Sequence, residues 1–538
     1  MRWWGWGDPA HEPGLPEHAL GFLSDAGIQT RDRPAVALAD VKLSPSLLEE
    51  GTLTALREIV GAQAVLSDHE QRVVHAGGKG YPDLVRVRAG EPEAAPDAVV
   101  LPGSRDQVRA VLELCAQRSL AVVPFGGGTS VVGGVAPLRG SHAAVIALDL
   151  GRMGDLVALD RESRTVTVQA GMRAPALERQ LAKERLTLGH FPQSYEYVSL
   201  GGCAATRSAG QASTGYGSIE RMIRGLRFAA PAGDVELPAL PASAAGPELR
   251  EVLIGSEGVL GVICELDLRV REAPSEQLYE GVFFPDFATG VSLLRTLAQG
   301  PGGADVARLS DEQETRMSLA LAGADTARQR LGQAYLGMRG YRDRGCLAIL
   351  GFEGTSRDVR ARRRRAIALA RKAGGLPVGH SPGRAWARAR FAAPYLRDEL
   401  LDHGVMVETL ETATQWSNLL RLHEDILRAI GDALLACETP GLVMCHVSHL
   451  YETGASLYFT FLAAQKPGEE LSQWQAVKDA ASHAIVTGGG TITHHHAIGR
   501  DHRAWMLDEV GAEGLAALSA LKRELDPAGI MNPGKLLP

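Results

Sequence analysis

Apolar positions along this chain alternate between two periods. They fall at Val108, Val111, Leu112 and Cys115, the i, i+3, i+4, i+7 stripe of a helix with one buried face, and Ser104 with Gln107 supplies a capping box ahead of it. Short β-type runs flank that helix at residues 99–101 and 121–123. Residues 144–148 and the alternating 165–170 add further strands, followed by a helix near 174–184. Upstream, residues 44–60 have helical spacing, and residues 75–90 read as a loop followed by a short strand. The aromatic cluster Trp3, Trp4 and Trp6 is expected to pack as an N-terminal cap, with Pro9, Pro13 and Pro16 as breaks after it. Beyond Ala273 the runs lengthen: YEGVFFPDF, CLAILGFEG, an Arg-rich helix, then LVMCHVSHLYETGASLYFTF, whose last strand carries Leu457, Tyr458, Phe459 and Phe461 with Gly454 at the turn before it. A helix over 515–524 ends at Asp526-Pro527. The pattern predicts an α+β protein with boundaries at 1–94, 95–272, 273–500 and 501–538, without internal repeats.

The glycines add chemistry to this pattern. In LAVVPFGGGTSVVGGVAP the strand runs into Gly126, Gly127 and Gly128, then Thr129 and Ser130. Side chains are absent where the backbone must approach something closely, and successive amides in such turns form concave nests for phosphate oxygens. A second segment, SLGGCAATRSAGQASTGYG, and a third, IGSEGVLGVICELDLRV, repeat the device. Three close-approach segments in one domain imply a bulky ligand.

Composition narrows the class. The 538 residues carry a formal net charge of −7, which argues against a nucleic-acid partner; the Arg-rich run at 360–365 reads as a solvated helix face. The six cysteines are scattered without a CxxC pair, so neither a disulfide framework nor a zinc site is expected. No apolar run reaches about 18 residues and no leader-like layout is present, so the expectation is a cytoplasmic protein that meets a lipid surface only by peripheral contact. Three adjacent histidines, His494, His495 and His496, follow a glycine run. On an extended segment they alternate in direction, with His494 and His496 on one face, and do not converge on one ion, so no metal is expected.

The three glycine segments in this order, with the closing LDPAGIMNPGKLLP, resemble the vanillyl-alcohol oxidase/PCMH-type flavoprotein family. The resemblance implies a two-part PCMH-type FAD-binding domain and a cap domain with an antiparallel sheet flanked by helices. It assigns FAD contacts to Pro124, Gly126, Gly127, Gly128, Thr129 and Ser130 in the first segment. Ser199, Gly201, Gly202, Thr206, Ser208, Ala209 and Gly210 follow in the second, and Glu257, Gly258, Gly261 and Ile263 in the third. No histidine or cysteine occupies a clear covalent-flavin position, so dissociable FAD is expected. Further stretches, WWGWGD, VVHAGGKGYPDLVRVRAG, RDELLDHGVMVETLETATQW and GGGTITHHHAIGRDHRAWM, are similar in order to the alkyldihydroxyacetonephosphate synthase branch, which makes ether lipids. That similarity implies acyl dihydroxyacetone phosphate and a fatty alcohol as substrates, a homodimer, and functional roles for Arg397, Tyr458, His494, His495, His496 and Arg308. The match is weakest around Arg308 and over residues 231–248.

The implied reaction exchanges an acyl for an alkyl oxygen at a carbon next to a ketone, with no net redox change. A reduced flavin N5 can displace the carboxylate, while the protein supplies orientation and charge. Tyr458 would remove the C1 proton, which requires a neighbouring cation or hydrogen bonds to lower a phenol pKa near 10. Arg397 would grip the leaving carboxylate or the phosphate with its fork. A long-chain substrate implies an apolar tunnel and a membrane-facing segment, expected within residues 304–337. The same scaffold also serves FAD-dependent oxidases and dehydrogenases of 2-hydroxy acids or alcohols, and a flavin-binding scaffold or sensor is the non-enzymatic alternative.

Overall fold

The computed structural model describes residues 1–7, 15, 17–322 and 327–538. Pro9, Pro13 and Pro16 therefore lie outside the described residues, as do residues 323–326 of the expected tunnel segment.

Three sheets place the site. The first runs in the spatial order Val65–Leu66, Ala98–Val100, Ala144–Asp149, Leu120–Phe125. Its last three strands are parallel, and their near-continuous apolar sequence follows from burial on both faces. Helix Arg105–Arg118 starts where expected: Ser104 Oγ accepts from the Gln107 amide at 3.2 Å, and Gln107 Oε1 accepts from the Gly103 amide at 2.7 Å. Strand Leu120–Phe125 then delivers the first glycine segment. The chain's end returns to this strand, with the Val122 amide donating to the Ile530 carbonyl and the Asn532 amide to the Val122 carbonyl, both at 2.8 Å.

The second sheet is antiparallel, in the order Leu156–Asp160, Thr165–Gln169, Val262–Arg269, Ile223–Ala230, Gly233–Leu237. It shares one apolar core with the first, and its central strand begins directly after the third glycine segment.

The cap sheet has seven antiparallel strands: Leu376–Gly379, Glu276–Phe284, Cys346–Gly354, Val306–Ser310, Gly441–Leu450, Gly454–Ala464 and Val405–Gln415. Alternation divides its two faces. Leu457, Phe459 and Phe461 pack with Cys445, Val447 and the buried faces of helices Phe287–Gln299, Leu419–Ala436 and Glu470–Thr487. The intervening Tyr458 and Thr460, with His446, Ser448, Val407 and Thr409, line a cavity against the glycine segments. Antiparallel pairing sets His446 opposite Tyr458 and Tyr458 opposite Glu411, so these three side chains form one row.

Several local expectations are corrected. Residues 81–88 form a helix rather than a strand: Pro82 lies in its first turn, and Tyr81, Leu84, Val87 and Arg88 are buried along it. Only Glu50–Val60 of the stretch 44–60 is helical, with Glu49 in extended backbone before it. The C-terminal helix spans Met506–Leu525 with a break at Gly511, where φ is 72°. In the Arg-rich helix, Arg362 pairs with Asp305 (2.8 Å) and Arg363 with Glu280 (2.7 Å), so this face is only partly solvated.

Candidate active site

The glycine segments and the polar face of the cap sheet enclose a cavity of about 460 Å³. Sixteen of the seventeen residues expected to touch FAD line it, from Pro124, Gly126, Gly127, Gly128, Thr129 and Ser130 through Ser199, Gly201, Gly202, Thr206, Ser208 and Ala209 to Glu257, Gly258, Gly261 and Ile263. Gly210 is the exception. Its carbonyl accepts from His449 Nε2 at 3.0 Å, which ties the second segment to the cap strand. The glycines are sterically required: a Cβ on Gly126 would run into Ser199 Oγ, one on Gly127 into the Tyr197 carbonyl, and one on Gly201 would stand 2.6 Å from Ala170 Cβ. Such a side-chain-free cradle beside the N-terminus of helix Leu200–Ala205, capped by Ser199, suits a dinucleotide cofactor.

Glu257 has a different task within this wall. Its carboxylate accepts from the amides of Ile498 (2.8 Å) and Gly499 (2.7 Å), and burial raises its pKa to about 7. It therefore anchors the segment that follows the histidines.

That segment is bent, not extended. Glu411 Oε1 accepts from Thr493 Oγ1 (2.7 Å) and from the amides of His494 (2.8 Å), His495 (2.7 Å) and His496 (2.8 Å). Three successive amides wrapped on one oxygen override the alternation of an extended strand. They place His495 and His496 on the cavity wall and leave His494 behind it, with His494 Nε2 on the Tyr451 hydroxyl at 2.5 Å. Despite its burial, Glu411 is held well below the ordinary carboxylate range by the surrounding imidazoles and hydrogen bonds. The ring nitrogens of His449, His494 and His495 come within 4.8 Å of one another. Yet His449 already spends Nε2 on Gly210 and accepts from Ser448 and Ser456 at Nδ1 (2.8 and 3.2 Å).

Tyr458 stands among these rings. Its centroid lies 4.9 Å from His446, 6.1 Å from His495 and 5.4 Å from His496, and its hydroxyl lies 3.4 Å from Gln193 Oε1. The expected lowering of its pKa is not found: burial pushes the phenol up to about 12, outweighing a hydrogen bond from Thr409 and the Arg397 charge. Burial likewise keeps His496 well below its usual pKa and therefore neutral.

Both arginines line the cavity, and both are engaged. Arg308 donates from Nη2 to Glu314 (2.7 Å) and from Nη1 to His446 Nε2 (3.0 Å). A guanidinium only donates, so His446 carries its hydrogen on Nδ1, which donates to Glu314 Oε1 at 2.9 Å. Arg397 gives Nη1 to the Lys79 carbonyl (3.1 Å) and Nη2 to Glu408 (3.3 Å). These bonds use two of its five N–H donors, and Nε has no partner.

Sequence reasoning missed Glu411, His446 and His449, whose signal lies in the pairing of cap strands rather than in any local motif, and Glu314, which reaches Arg308 and His446 from helix Glu312–Ala322. Trp6, expected only as part of the N-terminal cap, is indeed packed at 4 % exposure but also lines the cavity, and it gives its amide to Asp398 Oδ2 at 2.6 Å. The glycines around it were the available signal: a Cβ on Gly5 would overlap Asp398, and one on Gly7 would stand 2.8 Å from the Tyr395 ring.

Residues 96–237 match the family model for an FAD binding domain, and residues 273–536 that for the FAD linked oxidases, C-terminal domain. The chain is 32 % identical to alkyldihydroxyacetonephosphate synthase of Trypanosoma brucei brucei, the alignment covering 100 % of this chain and 92 % of that protein. It is 33 % identical to the synthase of Dictyostelium discoideum over 94 % of this chain and 84 % of that protein. A solved alkyldihydroxyacetonephosphate synthase structure superposes with a TM-score of 0.86 at 30 % identity, covering 99 % of this chain and 98 % of that one.

Proposed function

The chain belongs to the alkyldihydroxyacetonephosphate synthase family of FAD-linked proteins, and from that premise we propose that it exchanges the acyl group of acyl dihydroxyacetone phosphate for a long-chain alcohol. FAD is the cofactor, and when bound between the glycine segments and the cap it supplies the electron-rich ring on which such an exchange depends. We take it to be held without a covalent bond.

The observation that carries the reading is the row Glu411, Tyr458, His446 on the polar face of the cap sheet, with His495 and His496 beside it. A phenol with a pKa near 12 does not ionise at neutral pH. Tyr458 therefore stands protonated before substrate binds and takes the substrate's C1 proton only as its own proton leaves to a neighbouring base. His496 is adjacent but, held well below its usual pKa, is a weak acceptor, so the phenol's pKa has to fall once substrate and cofactor are bound. Arg308 is held in place on the cavity wall by Glu314 and His446, and Arg397 Nε offers one further donor. Purified holoprotein supplied with labelled acyl dihydroxyacetone phosphate and hexadecanol should form the ether and release fatty acid. Anaerobic flavin bleaching by a 2-hydroxy acid, without ether formation, would support a dehydrogenase instead.

Peripheral contact with a lipid surface is part of the proposal. No helix among the described residues is long and apolar enough to cross a membrane, but helix Ala327–Met338 exposes Leu331 (75 %), Tyr335 (42 %) and Met338 (80 %) at i, i+4 and i+7. Cosedimentation with vesicles should weaken in Leu331→Asp, while binding unchanged by that substitution would remove this helix from the proposal.

A further inference from the structure

Three cations line the cavity among the described residues, Arg308, Arg390 and Arg397. Two of them are neutralised, by Glu314 at 2.7 Å and by Glu408 at 3.3 Å. Arg390 has no carboxylate partner among the described residues, and its buried Nη1 makes no hydrogen bond. Arg390 is half-buried, and a guanidinium that has no counter-charge and one Nη shut off from water gains from an anion that arrives to share the site.

The surroundings of Arg390 fix its position. Its guanidinium carbon stands 5.0 Å from the Phe191 ring centroid, 4.8 Å from Phe391 and 5.9 Å from Trp386, a cage that holds the charge by cation–π attraction while leaving hydrogen-bonding capacity unspent. Its carbonyl accepts from Gln211 Nε2 at 2.7 Å, which pins the cap to the second glycine segment. The Tyr279 hydroxyl also bonds the guanidinium, but that hydroxyl donates to Glu353 (2.7 Å) and brings no full charge.

We propose that Arg390 is the anchor for the phosphate of the substrate, a phosphomonoester dianion that supplies the missing counter-charge; this rests on the synthase reading above. The planar fork of arginine matches phosphate oxygens in pairs. With Arg308 and Arg397 already paired, discrimination for a phosphorylated over an unphosphorylated ketone falls to Arg390.

Holoprotein carrying Arg390→Met or Arg390→Lys tests this. Arg390→Met should raise KM for acyl dihydroxyacetone phosphate by about tenfold or more, with KM for hexadecanol, kcat and flavin content little changed; Arg390→Lys should recover part of the loss. In parallel, the flavin absorbance change on titration with dihydroxyacetone phosphate should shift to higher concentration in Arg390→Met, while unphosphorylated dihydroxyacetone gives the same response in both proteins. Unchanged phosphate binding in Arg390→Met overturns the proposal, and so does loss of flavin from both variants, which would make Arg390 a cofactor contact. If wild-type protein forms no ether, the synthase reading fails, yet the titration still decides whether Arg390 holds a phosphate.

Discussion

One oxygen of Glu411 gathers a hydroxyl and three successive amides, and the bend this enforces is what puts His495 and His496 on the cavity wall. Replacing Glu411 by Ala strands three buried amides at about 1–3 kcal/mol each, so denaturant titration should show a loss of several kcal/mol. The sign of the pH effect follows from the depressed pKa. An unfolded glutamate titrates near 4.3, so the stabilisation from Glu411 is full above about pH 4.3 and is lost as pH falls toward the lower folded value. Glu411→Gln should therefore flatten the acid limb of a plot of unfolding midpoint against pH. Glu257 works in the opposite sense. With a folded pKa of about 7, the folded state binds the extra proton, and stability falls as pH rises from about 4.3 to 7. Glu257→Gln should abolish that slope; an unchanged slope would show that other groups set it. Tyr458→Phe keeps the ring stack on His446 but removes the hydroxyl, and turnover should drop by about 10²–10⁴ with the bound flavin spectrum intact.

The hairpin Gly441–Leu450 and Gly454–Ala464 converts an alternating sequence into two chemically different faces. Phe459 and Tyr458 are neighbours in sequence, yet one is fully buried under the helices and the other lines the cavity. Phe459→Ala should cost about 3–5 kcal/mol in unfolding free energy, whereas Thr460→Val, on the cavity face, should leave stability nearly unchanged and register only in turnover. This alternation was legible in the sequence, as were the glycine cradle and helix Arg105–Arg118, because each depends on residues close in the chain. The row Glu411, Tyr458, His446 was not: it joins positions on three strands through register, which no local pattern encodes. The histidine bend was misread for the same reason, since the carboxylate that creates it lies 83 residues before His494. In residues 81–88, which read as a loop followed by a short strand, burial of Tyr81, Leu84, Val87 and Arg88 along one element settled a helix instead.

At the scale of the molecule, the cavity is a seam between two bodies of structure with separate cores, and both ends of the chain help close it. The first residues are clamped by Trp6 on Asp398, by the Lys79 ammonium on the Arg2 carbonyl at 3.2 Å, and by Arg2 and Arg88 over the Trp4 ring. The last residues lie along the strand that carries the first glycine segment. A cofactor seated in this seam contacts both bodies, so removing FAD should lower the unfolding temperature, and denaturation should release all of the yellow colour from the chain. Ligand present at 100 times its Kd is worth about 2.7 kcal/mol. The most direct test of the central claim is turnover: holoprotein with isotopically labelled acyl dihydroxyacetone phosphate and hexadecanol. The account predicts an ether-linked product and one fatty acid released for each ether formed, with no net change in flavin redox state. Intact acyl substrate after incubation with fully flavin-loaded protein would contradict it.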